Sequence, residues 1–86
     1  MSSSITFHLD PTNPSAGANF RVYVDTAPCN PATVTAFANG VQIGSPQQCS
    51  VGNSVQFLCP AGTSGRQWKV TVECPTDSLT KTGTIQ

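Results

Sequence analysis

Gln67-Trp68-Lys69-Val70-Thr71-Val72-Glu73-Cys74 is the stretch that decides the fold. Trp68, Val70, Val72 and Cys74 alternate with polar or charged residues. That period of two belongs to a strand with one face on a core and the other in water. The β-branched run Val70-Thr71-Val72 suits an extended backbone better than a helix. Pro75-Thr76-Asp77 then turns the chain, and Leu79 to Ile85 reads as a final strand.

The same alternation recurs upstream. Ile5, Phe7 and Leu9 share one face of a first strand, and Phe20, Val22 and Val24 share one face of a second. Pro11, Pro14 and Gly17 break the chain between them. Val34 to Ala38 is a third strand, closed by Asn39-Gly40, a strong hairpin signal, and Val41-Gln42-Ile43 returns from that turn. Gln47 to Val51 is a weaker strand, Gly52-Asn53 a tight turn, and Val55 to Cys59 the next strand, ended by Pro60. No stretch holds a helical period over three turns. Seven or eight short strands at regular spacing predict an all-β, antiparallel β-sandwich occupying residues 1–86 as a single domain.

Asn39-Gly40-Val41-Gln42-Ile43-Gly44, Cys49-Ser50-Val51-Gly52 and Trp68-Lys69-Val70-Thr71-Val72 together resemble bacterial and phage immunoglobulin-like domains of the fibronectin type III and cell-adhesion-related kinds. A glycine hairpin, a glycine before the fifth strand and an aromatic-x-Val-x-Val sixth strand recur there. The resemblance implies an immunoglobulin-like sandwich. The second strand carries no cysteine, so the inter-sheet bridge of antibody domains cannot form.

Charged residues make up 9% of the 86, and Arg21, Arg66, Lys69 and Lys81 balance Asp10, Asp25, Glu73 and Asp77. An ordinary soluble domain carries about 25%. Without a basic face, nucleic acid is excluded as the main partner. No apolar run approaches the roughly 20 residues that span a bilayer, so membrane insertion is not expected. Met1-Ser2-Ser3-Ser4 has neither the basic nor the apolar region of a secretory signal. Two origins fit that start: a complete protein released by lysis, or a module from a larger secreted protein.

Cys29, Cys49, Cys59 and Cys74 are too far apart for a zinc site, and His8 is the only histidine. Disulfides are the better reading for so small a domain, and they point to an extracellular or virion surface. In an up-and-down order, the loops carrying Cys29 and Cys74 lie at one end and Cys59 at the other. The Gln67–Cys74 strand is roughly 25 Å long, which keeps Cys59 from Cys74 and from Cys29. The expected pairs are Cys29–Cys74 and, across the Gly52-Asn53 hairpin, Cys49–Cys59.

Three constellations carry possible chemistry. His8 and Asp10 are the nearest approach to a catalytic pair, yet no nucleophile is tied to them by spacing, and an exposed strand histidine is favoured. Asp25, Glu73 and Asp77 fall at one end of the sandwich and are a weak calcium candidate, but no tight D-x-D spacing supports them over solvated loop carboxylates. Tyr23 and Phe37 are candidate binding residues for a glycan. Tyr23 is out of phase with the core positions, Phe37 is ambiguous, and Trp68 reads as core. No cofactor is expected.

Thr6, Thr33, Thr35, Thr71, Thr80, Thr82 and Thr84 complete a neutral, hydroxyl-rich surface beside a nearly chargeless last strand. The expectation is a non-catalytic structural or display module, a virion decoration or fibre-associated protein, whose partners are capsid, fibre or neighbouring surface proteins. The alternative is a carbohydrate-binding or adhesion module that recognises a surface glycan.

Overall fold

The computed structural model describes residues 4–86. It contains eight strands, β1 (Thr6–Asp10), β2 (Asn19–Thr26), β3 (Ala32–Ala38), β4 (Val41–Gln42), β5 (Gln47–Cys49), β6 (Ser54–Leu58), β7 (Gln67–Cys74) and β8 (Asp77–Thr84), and no helix among the described residues. They form two antiparallel sheets. The first has the order β1-β2-β6; the second has the order β4-β3-β7-β8, with β5 also paired to β3.

The alternation seen in the sequence is the burial pattern. Phe7 and Leu9 on β1, Phe20, Val22 and Val24 on β2, and Val70 and Val72 on β7 all point into one continuous apolar cluster. The inner row of β3, Ala32, Val34, Ala36 and Ala38, is small, whereas the first sheet contributes Phe7, Phe20 and Phe57. Large against small lets the two sheets approach closely. That small inner row also settles the phase of β3, and Phe37 faces outward.

Two turns fix the registers. Asn39 (φ 52°) and Gly40 (φ 79°) are both left-handed, the requirement of a two-residue hairpin whose twist matches its strands. They join β3 to β4 with Ala38 opposite Val41. Pro75-Thr76 closes the second hairpin, with Cys74 opposite Asp77, so β8 starts two residues earlier than the alternation suggested.

One disulfide is present, not two. Cys29 in the β2–β3 loop is joined to Cys74 at the end of β7 (Cα–Cα 5.7 Å), tying the crossover between sheets to the second sheet. Cys49 and Cys59 are both free and buried. The reason is topological. β5 pairs with β3 in the second sheet, whereas β6 pairs with β2 in the first, so no hairpin connects the two cysteines. Cys49 has a backbone contact at Val24, while Cys59 exchanges backbone hydrogen bonds with Gly17 and Ala18 before the start of β2. Six residues of extended chain, about 20 Å, separate those anchor points, far beyond disulfide reach.

Candidate functional site

The site begins with the direction of backbone groups. The amide of Asn39 donates to the Gln67 carbonyl, which sets the odd positions of β7 toward β3 and the even positions toward β8. On β8 the odd positions therefore bond to β7. The backbone groups of Ser78, Thr80 and Thr82 point away from the sheet. β8 is an edge strand of eight residues without a proline. The opposite side of the second sheet is broken into β4, of two residues, and β5, of three, with Pro46 between them.

The outer face beside this edge is nearly neutral. Register places Thr33, Glu73 and Ser78 in one row, Thr35, Thr71 and Thr80 in the next, and Phe37, Lys69 and Thr82 in a third. Thr71 and Thr80 hydroxyls share a 3.0 Å hydrogen bond, and Gln48 Nε2 donates to Thr33 Oγ1 at 3.3 Å. Neighbouring strands about 4.8 Å apart and rows about 7 Å apart make a regular lattice of hydroxyls and amides.

The inner side of the same edge opens onto a groove of about 380 Å³ between β1 and β8, lined by His8, Leu9, Thr12, Asn13, Trp68, Lys81 and Thr82. Lys81 crosses it. Its ammonium donates to the Phe7 carbonyl at 2.6 Å and sits 5.0 Å from the centroid of the Phe7 ring. An inward lysine on an edge strand satisfies a backbone acceptor of the facing edge. At the groove floor the Trp68 indole donates to Asn13 Oδ1 at 3.1 Å. Gly83 lies opposite Trp68 because no larger residue fits there.

The candidate residues named from sequence fall as follows. Tyr23 is on the outer face of the first sheet, but its ring stacks on His8 at 5.0 Å with planes 3° apart. Phe37 is on the outer face of the second sheet, with the Lys69 ammonium 4.8 Å from its ring centroid. Trp68 is buried. The three rings lie on different surfaces and do not meet in one platform.

His8 is paired with Asp25 rather than Asp10: Nδ1 lies 2.8 Å from Asp25 Oδ2, and both side chains are about half exposed. Asp10 instead sits opposite Arg21 in the β1–β2 register. The His8–Asp25 contact joins residues 17 apart, and only the pairing of His8 with Tyr23 brings it about. Among the described residues no hydroxyl or thiol is bonded to His8, so this pair has no nucleophile to activate.

The three carboxylates proposed for calcium also remain apart in their contacts. Asp25 holds His8; Glu73 lies on the outer face opposite Thr33; Asp77 accepts hydrogen bonds from the amide and hydroxyl of Ser4 at 3.0 and 3.2 Å. No group of three His, Cys, Asp or Glu side chains able to hold a metal ion occurs among the described residues. The two free thiols are walled off. Burial pushes the Cys49 thiol up, with a backbone hydrogen bond at Val24 acting in the opposite sense, so it stays protonated and unreactive.

No protein family, curated protein or solved structure matches this chain. No helix among the described residues is long and apolar enough to cross a membrane.

Proposed function

We propose that this chain is a non-catalytic structural or display module of the immunoglobulin-like sandwich type. It works at an extracellular or virion surface through protein contacts, as a decoration or fibre-associated protein would. The observation that carries the reading is the surface formed by the outer rows of β3, β7 and β8 together with the open edge of β8. A regular lattice of hydroxyls whose two charges, Glu73 and Lys69, are of opposite sign and sit in the two flanking rows suits packing against a protein neighbour, because the central row of threonines carries no charge to desolvate. The immunoglobulin-like assignment is supported by the sheet exchanges at the β2–β3, β5–β6 and β6–β7 connections, which pack β1-β2-β6 against β3-β7-β8. The Cys29–Cys74 bridge supports an oxidising location.

Carbohydrate binding draws on the same hydroxyls and amides but lacks a stacking platform. Tyr23 has a ring face against His8, Phe37 has Lys69 over it, and Trp68 is buried. Co-sedimentation of the oxidised protein with intact virions or cells, run beside a glycan array, separates the two. Particle binding lost on Thr35→Lys or Thr71→Lys supports the contact reading. Glycan binding lost on Tyr23→Ala or Phe37→Ala overturns it.

A further inference from the structure

We infer that β8 pairs with β8 of a second copy of this chain, antiparallel about a two-fold axis at Leu79, to join two second sheets into one; this rests on the surface-contact reading above. The strand is self-complementary in three independent respects.

Its charges come first. β8 carries one acid and one base, Asp77 and Lys81, equidistant from Leu79. An antiparallel two-fold at Leu79 sets each Asp77 in register with the other copy's Lys81. To pair, the Lys81 ammonium exchanges the Phe7 carbonyl, and the Asp77 carboxylate its Ser4 donors, for each other. Pairing shifted to a two-fold at Lys81 would oppose two ammonium groups, which disfavours it. The apolar residue comes second. Leu79 is half-buried at the rim of the core, and in this register it meets its own copy as a close, non-hydrogen-bonded pair. The backbone comes third. With odd positions bonded to β7, the outward groups of Ser78 and Thr80 are the ones that face the other strand. They form two reciprocal pairs, Ser78 with Thr80 of the other copy and the reverse. The Ser78 amide now donates to Asp77 Oδ1 at 2.9 Å, and that local bond is exchanged for the Thr80 carbonyl of the other copy.

Four backbone hydrogen bonds and one apolar contact make a small interface, so the association is weak and concentration-dependent. Light scattering on the oxidised chain from about 10 µM to 1 mM should show the mass rising from 9.0 kDa toward twice that value. Raising the salt to about 1 M should weaken it by screening the two charge pairs. Thr80→Pro removes an amide that faces solvent in the single molecule together with the Thr71–Thr80 hydroxyl bond. It should weaken pairing at least tenfold while lowering the melting temperature no more than Thr80→Ala, which loses the same hydroxyl but keeps the amide and the pairing. Isotope-filtered NOEs on mixed labelled and unlabelled wild-type chains need no variant and should show Leu79 methyl contacts between copies. A monomer throughout the range, a dimer unaffected by Thr80→Pro, or inter-copy contacts elsewhere would each overturn the inference. Particle binding by such a monomer would leave the proposed function standing, whereas a β8 dimer that ignores particles and cells would sink that function and keep the pairing.

Discussion

The Trp68 indole lies directly over Gly83: a Cβ at position 83 would stand 2.5 Å from Nε1 and 2.7 Å from two ring carbons. The ring is buried and held at its other end by Asn13, so it has little freedom to withdraw. Gly83→Ala should therefore cost about 1–3 kcal/mol, the usual penalty of overpacking. Thermal melting would check this, with Thr82→Ala as the neighbouring control. A Gly83→Ala melt equal to wild type would mean the indole is not locked over β8.

The thiol count tests the disulfide pattern. Without reductant, denatured protein should react with two equivalents of a thiol reagent, those of Cys49 and Cys59, while native protein should react slowly because both are 1% exposed. Zero equivalents after denaturation would restore the second bridge.

Closing the Cys29–Cys74 loop, 45 residues in separation, stabilises the chain by about 4 kcal/mol on the chain-entropy view. Reduction should lower Tm by about 15 °C or more in a domain of this size. Calorimetry with and without a phosphine reductant measures it, and coincident melts would show that the bridge contributes nothing.

Cys49 gives the alkaline behaviour its sign. Its folded value is raised above the ordinary 9.0, so the unfolded chain loses that proton first as pH climbs. The Cys49 contribution is complete below about pH 9 and fades as pH rises through the folded value. Urea midpoints between about pH 8 and pH 10.5 should fall more steeply for wild type than for Cys49→Ala. Parallel curves would remove Cys49 from the account.

Lys81→Met keeps most of the apolar stem but loses the donor to the Phe7 carbonyl. A loss of about 1 kcal/mol is expected, the ordinary net worth of such a bond. A gain in stability would show that desolvating the ammonium in the groove outweighs its bond and its position over the Phe7 ring.

Much of the fold was legible where one face is apolar and the other polar. β2 and β7 alternate so strictly that their inner rows could be read directly. β3 could not be phased this way, because its inner row is Ala and Val and its outer row ends in Phe37, leaving hydrophobicity nearly equal on both faces. The cysteine pairing failed at a different level. Alternation states which face of a strand is buried, not which sheet the strand joins, and β5 and β6 join different sheets. His8–Asp25 was hidden for a related reason: the contact follows from the β1–β2 register, and the bulge between Thr6 and Phe7 shifts that register by a residue. The neutral outer face of the second sheet was visible as a string of threonines, but its ordering into rows needed the pairing of β3, β7 and β8.

The broken far side of the second sheet has a consequence for assembly size. β4 and β5 together offer five strand residues, split by Gly44-Ser45-Pro46, so only the β8 side can continue that sheet over a useful length. The second sheet, with one long edge, has a valence of one. Pairing through β8 would therefore close that sheet as a pair instead of extending it into a filament, and growth into any larger array would have to use the first sheet, at its β1 and β6 edges, or the sheet faces.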